Sequence, residues 1–568
     1  MLGRVRALGW CLYSSLRCAR AGSLAAYRIA FGAYLLADLY WRLQMPLGLY
    51  WYTDSRAEPR SVLWHGDSPH GWVVHRWLFE RTGADLQMLL MGAHGLLAAL
   101  FAGGVATGWV APLLYLSTIS LCGRSDFFND GSDKLTRNLS LINCFLPLSS
   151  VWTLGSFLPL TSKPESEASS CSPRELIADF AICTFKLQLA FMYLAVTANR
   201  FYSDEAWMPG EGSAIYYSLG ANFAVTELGK VLMEYPLLCY AVAMGTHLHE
   251  LAIAACCFLA PSLTVALAAL LHVGISLMLF IPQFHCLGVI SVIPFLACPS
   301  PFAFYAHDSQ RVSTPELEVA LDPSIEKWIP PTEASLASAS STQPSRSPLN
   351  NQLELRSFRR NKIAWVLLAL LTSYMVLNFT AVDLRVIPSL DEGDVGQALR
   401  FTQGWLMFGS IARRGDWFEV RARWDGGLKA VDVTRGLATG EWLVEDNPPM
   451  YPTRLRGPNP RTHYRSWRLE RFFSLAAQWS PQVRQRRLLR LAGSLCYALH
   501  DHWKAELPHD LTISLPMFVY WIPAFQFSSP SDKPFEYNRY GDSSHEVLCR
   551  DIISSQVNNE IPTHPFGF

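Results

Sequence analysis

Between Ile177 and Asn199 the chain stays apolar for long enough to cross a hydrocarbon core, which takes about 20 residues of helix. Lys186 and Gln188 nevertheless lie inside that run. A charge at such depth is costly and points to function by default. Similar apolar runs recur along the chain. A segment in lipid must satisfy its own backbone, so these runs dictate helices. Half of the 568 residues are hydrophobic and only 17% are charged, the balance of a polytopic membrane protein carrying a soluble portion. The formal net charge is zero and no basic stripe is present, so nucleic acid is not a partner. The 13 cysteines are scattered without a Cys-x-x-Cys pair. They predict no zinc site and leave the redox compartment open.

Arg4, Arg6, Arg17 and Arg20 precede the first crossing, Ser23–Leu43, in which Arg28 and Asp38 are embedded. Positive charge ahead of the first crossing keeps the N-terminus cytoplasmic. Trp10 and Tyr13 break the apolar stretch before it, which reads as an interfacial helix rather than a signal peptide. In the connection that follows, His65, His70 and His75 are spaced by neither a helical nor a strand repeat, so no metal is expected there. Further crossings are expected over 86–107, 109–122, 135–151 and 177–199. Three or four more fit between Ile215 and Cys298, around a short amphipathic piece at Glu227–Glu234. Gly245 to Glu250 is expected to begin one of these crossings, and His272 to lie within another. Residues 301–362 read as a disordered linker, rich in Ser, Ala, Thr and Pro at its centre. Arg356, Arg359, Arg360 and Lys362 then precede an additional helix, 363–383.

The expected fold is a polytopic α-helical membrane bundle of about nine crossings with a C-terminal soluble α+β domain. The bundle occupies 1–300 with the added helix, and the extracytoplasmic domain 384–568. In that domain Trp417 to Val433 predicts a hairpin turning at Asp425-Gly426-Gly427. Gln482–Glu506 predicts a basic amphipathic helix and Leu511–Phe525 a strand. No nucleophile elbow or phosphate loop occurs in it.

Two polar turns stand out. One is Asn129-Asp130-Gly131-Ser132-Asp133-Lys134. The other follows Asn199-Arg200 and returns through Trp207, Pro209, Gly210 and Gly212. The second suits an interfacial anchor as well as a functional loop. Both fall on the outer face in this topology.

Taken in order, these residues resemble the vitamin K-dependent γ-carboxylase superfamily, also called HTTM (horizontally transferred transmembrane) proteins. Ala26-Tyr27-Arg28-Ile29-Ala30-Phe31-Gly32 with Asp38 is similar to the family's opening helix. Tyr52-Thr53-Asp54 with Pro59-Arg60 resembles its next loop. Asn129 to Leu135, Pro147 and Trp152 resemble its asparagine-containing turn and following helix. Gln188, Tyr193, Trp207-x-x-Gly210, Gly245 with Glu250, and His272 match further positions. Trp405-x-x-Phe408 and the Trp417 segment resemble the β-rich extension of many bacterial members. The likeness covers most of the chain outside 301–360.

The resemblance implies chemistry with reduced vitamin K or another quinone, in which a deprotonated quinol removes a proton from glutamate and CO2 adds. It implies membrane lipid, a protein substrate or membrane-complex partners, and residence in the endoplasmic reticulum or another endomembrane if the source is eukaryotic. The true carboxylases have a lysine that falls at Arg200 here, and a histidine that falls near Ser132. Arginine stays protonated and cannot be the base. Lys186 lies about 21 Å from Arg200 along a helix and does not replace that position. Candidate catalytic residues are therefore Arg200, Ser132, Asp133 and Lys186. Candidate ligand contacts are Trp207, Glu250 and His272. Two readings stand: a membrane enzyme acting on a quinone or lipid-borne substrate, and a non-catalytic maturation factor or complex subunit. The sequence predicts no vitamin K-dependent carboxylation. Labelled CO2 supplied with reduced vitamin K and a glutamate-rich peptide should not be incorporated, while a true carboxylase does incorporate it. Robust quinol-dependent incorporation that survives Arg200→Ala would overturn this assignment.

Overall fold

The computed structural model describes residues 19, 21–44, 84–124, 129–149, 151–154, 173–221, 225–296 and 348–385, together with shorter stretches between 414 and 549. Its long helices are α1 (Ala21–Gln44), α2 (Ala84–Ala102), α3 (Thr107–Arg124), α4 (Gly131–Asn143) and α5 (Pro173–Ser203). Two short helices, α6 (Ala214–Ala221) and α7 (Glu227–Met233), lead to α8 (Pro236–Leu259), α9 (Pro261–Met278) and α10 (Pro282–Val292). Last comes α11 (Pro348–Asn378), which runs into a π-helical turn at Phe379–Asp383. Five segments are long and apolar enough to cross a membrane: Asp85–Ala102, Asp179–Ser203, Pro236–Leu259, Pro261–Met278 and Lys362–Asp383.

Exposure separates centre from periphery. The span on α5 is 72% buried within the protein, against 22% for α9 and 28% for α2. Around α5 gathers one apolar core, with Phe185 against Tyr27 and Phe295, and Phe31 against Phe101. The outer faces of α2, α8, α9 and α11 carry exposed Leu89, Leu248, Leu270 and Leu370, as lipid-facing helices require.

α1 matches α8 in length but carries Arg28, Asp38 and Arg42, all buried. Arg28 donates to the carbonyls of Ala102, Leu148, Val151 and Trp152, which ties the ends of α2 and of the turn after α4 to α1. Gly104 makes room for this. Its φ is +72°, and a Cβ there would meet the Arg28 guanidinium. The turn at Gly103–Gly104 also ends α2 at Ala102, short of the expected 107. At the other end of α1, Arg42 pairs with Asp38 at 2.7 Å and with Asp133 of α4.

α4 was expected as a crossing over 135–151. Instead it starts at Gly131 and ends at Asn143, with the chain turning ahead of Pro147. Asp130 and Asp133 form a capping box that starts it. Leu135, Leu139 and Ile142 make its apolar face, yet nearly all of its polar side chains are buried as well, so α4 runs through protein rather than lipid. α8 likewise begins before Gly245, at Pro236, because Pro at the first position starts a helix well. The amphipathic piece is α7, as expected. α11 begins at Pro348, inside the segment expected to be an unstructured linker, and continues through Gln352-Leu353-Glu354-Leu355, all good helix formers. Residues 301–347 lie outside the described residues.

α11 is not an appendage. Phe180 stacks on Trp365 at 4.9 Å and Phe191 on Phe379 at 4.3 Å, and Thr184 and Thr372 share a 2.8 Å hydrogen bond. Asn199 donates to Asp383 at 3.0 Å, so α5 and α11 are parallel.

The strands are β1 (Arg414–Phe418), β2 (Arg421–Trp424), β3 (Lys429–Asp432), β4 (Val444–Asp446), β5 (Thr512–Leu515), β6 (Met517–Trp521), β7 (Glu536–Arg539) and β8 (His545–Leu548). They form two antiparallel sheets, β1-β6-β7 and β4-β3-β2-β5-β8. The expected hairpin turns where the sequence indicates, at Asp425-Gly426-Gly427, each with positive φ. Its first arm is only Arg421–Trp424, however, and Trp417 pairs with Phe518 in the other sheet. The expected strand at 511–525 is two strands, split between the sheets at residue 516. Of the expected helix 482–506, only Ala492, Leu495, Cys496 and Leu499 are described. All four are helical and buried, at the spacing of one helix face. Cys496 forms a disulfide with Cys549, just past β8. The described cysteines of the bundle are free.

Candidate functional site

The last turn of α5 carries Thr197 and Arg200, three residues apart and therefore on one face. Across from them, mid-way along α8, Glu250 accepts from Arg200 Nη1 at 2.6 Å and from Thr197 at 3.0 Å. All three residues are buried. The guanidinium lies over the Trp207 ring, 4.3 Å from its centroid. Trp207 sits in a 3-10 turn begun by Asp204, which accepts from the Ala206 amide. The indole also meets the His247 ring edge-on at 5.3 Å, and His247 Nε2 donates to the Trp207 carbonyl at 3.3 Å. The turn closes at Gly212, with φ +59°, where any Cβ would strike the Tyr240 ring. Trp207 is thus held by contacts with a cation and an imidazole, with the chain direction around it set by Gly212.

Arg200 and Trp207 line a cavity of about 380 Å³. The rest of its wall is mostly apolar. α8 contributes Val242, Gly245, Thr246 and His249, and α9 contributes Leu271, Gly274, Ile275 and Met278. α6 closes it with Ile215, Ser218 and Leu219. Leu270 both lines the cavity and is 65% exposed, so the cavity reaches the outer face of the bundle. Gly245 and Gly274 leave open space where a side chain would stand. Arg200 Nε has no hydrogen-bond partner among the described residues.

No family model, curated protein or solved structure matches this chain. Its chemistry must therefore be argued from these side chains.

The residues singled out in the sequence go to different places. Arg200, Glu250 and Trp207 come together. Ser132 and Asp133 do not join them. The Ser132 amide donates to Asp130 at 2.6 Å, and Asp133 accepts from the Asp130 amide at 2.8 Å while pairing with Arg42. The two polar turns thus build separate clusters. Lys134 and Asp383 connect them electrostatically, and Asp383 accepts from Asn199. Lys186 is buried 5.6 Å from the centroid of the Phe295 ring and does not line the cavity. His272 is turned away from the cavity. It shares a 3.0 Å hydrogen bond with the Tyr193 hydroxyl, and its ring lies so close to Gly288 that a Cβ there would overlap it. Among the described residues no group of three His, Cys, Asp or Glu side chains is arranged to hold a metal.

Sequence reasoning missed Gly245 as a cavity wall, and missed Thr246, His249 and Gly274 altogether. The signal was there in the spacing: Val242, Gly245, Thr246 and His249 follow one helix face, small and polar where lipid-facing neighbours are leucines.

Breaking a buried ion pair from one side leaves an uncompensated charge, at a cost of about 3–5 kcal/mol. Arg200→Met and Glu250→Leu should each lose about that much in reversible unfolding from mixed micelles. The double variant should lose much less than the sum. Additive losses would show that the two side chains do not depend on each other.

Proposed function

We propose that this chain is an integral membrane protein of the γ-carboxylase-like (HTTM) superfamily that binds a quinone or other neutral amphipathic lipid in the cavity between α6, α8 and α9. The observation that carries this reading is a largely apolar cavity, open to the lipid-facing surface, with the Arg200 guanidinium and the Trp207 indole in its wall beside Ser218, Thr246 and His249. Apolar walls with a few fixed polar groups are the usual make-up of a small-molecule site. Arg200 is already paired with one carboxylate, so a neutral carbonyl oxygen suits its remaining donors better than a second anion. The ordered series of residues from Tyr27 to His272 supports the family assignment.

A binding role without carboxylation is favoured by what holds the two substituted positions. Arg200 is committed to Glu250, and Ser132 belongs to the cap of α4. Neither is a free base. The same bundle then serves a maturation factor or complex subunit that carries its lipid without turning it over.

The proposed topology has nine crossings, α1 to α5 and α8 to α11, with the N-terminus cytoplasmic and the strand-rich tail lumenal or otherwise extracytoplasmic. The Cys496–Cys549 disulfide supports this side for the tail, since disulfides persist in oxidising compartments. An endomembrane location follows from the same reasoning in a eukaryotic cell.

Two measurements test the reading. Protein purified from its native membrane should release a quinone or neutral amphipathic lipid, enriched over bulk lipid, on mass-spectrometric extraction. Gly245→Leu and Gly274→Leu fill the cavity without meeting a neighbour at Cβ, and should lose that lipid while keeping helicity and thermal stability. No enrichment in the wild type, or undiminished enrichment in both variants, rejects the cavity as a lipid site. In intact vesicles, single cysteines at Ser340 and Asp425 should be labelled from opposite sides. Equal protection of both would refute an odd number of crossings between them.

A further inference from the structure

Four arginines are buried in the bundle among the described residues: Arg28, Arg42, Arg137 and Arg200. Three have their acceptors. Arg28 has four main-chain carbonyls, Arg42 has Asp38 and Asp133, and Arg200 has Glu250. Arg137 on α4 is the exception. It is 9% exposed, it has no hydrogen bond or ion pair among the described residues, and its Nε is buried without a partner. Arginine does not give up its proton, so the charge remains. Most of its neighbours along α4 are buried too, so the charge sits within the bundle.

The surroundings of Arg137 add positive charge and a hydroxyl. Lys134 lies one turn earlier and feels the Arg137 charge, and the acid answering Lys134 is Asp383. Ser140 lies one turn later on the same face, and its buried Oγ has no hydrogen-bond partner among the described residues. On the facing helix α3, Tyr115 and Cys122 are within electrostatic range of Arg137. Arg137 lies six positions after Gly131, about 9 Å along the helix.

We propose that Arg137 and Ser140 hold an oxyanion inside the bundle, carried by a small solute or by the head of an anionic lipid. A guanidinium offers two parallel donors to a carboxylate or phosphate, and the Ser140 hydroxyl is a third donor one turn away. Bound there, the anion neutralises the one buried arginine that the described residues leave without an acceptor. This site is distinct from the Arg200 cavity and does not depend on how that cavity is used.

The test uses full-length protein in nanodiscs of phosphatidylcholine. Acetate or inorganic phosphate is titrated at constant ionic strength, and a third sample contains a minor fraction of phosphatidylglycerol. A ligand that binds only the folded state raises the Tm in a saturable way. At least one of the three should do so for the wild type. A response to acetate or phosphate assigns a solute, and a response to phosphatidylglycerol alone assigns a lipid head. Arg137→Gln should abolish the response, and Ser140→Ala should weaken apparent affinity by about tenfold. Should Arg137→Gln fail to fold, Arg137→Lys keeps the charge but loses the fork, and should bind more weakly than the wild type. The proposal is overturned if none of the three raises the wild-type Tm, or if the response is unchanged in whichever Arg137 variant folds.

Discussion

A guanidinium taken out of water must be given its hydrogen bonds back, and this bundle is arranged around the places where that happens. Charge removed from solvent without partners costs several kcal/mol or more. Arg28 therefore gathers the main-chain carbonyls of Ala102, Leu148, Val151 and Trp152 into one shell. Arg42 fixes the opposite end of α1 to the start of α4 through Asp133. Arg200 locks α5 to α8 through Glu250. Apolar packing fills the space between helices, but it is tolerant of sliding. The planar fork of arginine is not, and it sets the register.

The sequence showed the bundle through its apolar runs, but the charge embedded in α5 read as a sign of function and not of a central position. It was less informative about α4. Its apolar face is only Leu135, Leu139 and Ile142, and Ser132, Asp133, Arg137, Asn138 and Asn143 are buried as well, because its surroundings are protein rather than lipid. The choice of Arg200, Glu250 and Trp207 came from motif order and not from spacing, and the structure brings these three together. Lys186 attracted attention as an embedded charge, yet it lies beside Phe295 and away from the cavity. Pairings between distant segments were out of reach altogether. Asn199 and Asp383 are 184 residues apart. Nothing among 13 cysteines singled out Cys496 and Cys549. In the tail, the turn chemistry of Asp425-Gly426-Gly427 was readable. The assignment of Trp417 to a different sheet was not, since alternation says that a segment is a strand and not which strand it joins.

The two kinds of interior in this bundle call for different occupants. Between α8 and α9 the walls are aliphatic and two glycines hold space open, a shape for a hydrocarbon body. Along α4 buried amides, hydroxyls and charged groups stand beside the apolar face, with Asn143 and Thr136 hydrogen-bonded to Tyr27 and Tyr34 of α1. α5 is the wall common to both, with Arg200 on one side and Gln188 on the other, where Asn138 donates to it at 3.5 Å.

The seam between α5 and α11 also constrains the order in which the protein can be built. The whole of α5 leaves the ribosome well before α11 begins, yet one side of it, from Phe180 to Asn199, packs against that last helix. During synthesis the bundle is therefore an open shell, with the polar face of Thr184 and Asn199 turned towards lipid or towards a chaperone. Closure waits for the long connection to be translated and for α11 to insert alongside. A chain truncated within that connection would keep its cavity-lining helices but carry a persistent polar groove in the membrane, the kind of surface by which quality-control machinery recognises an unassembled subunit.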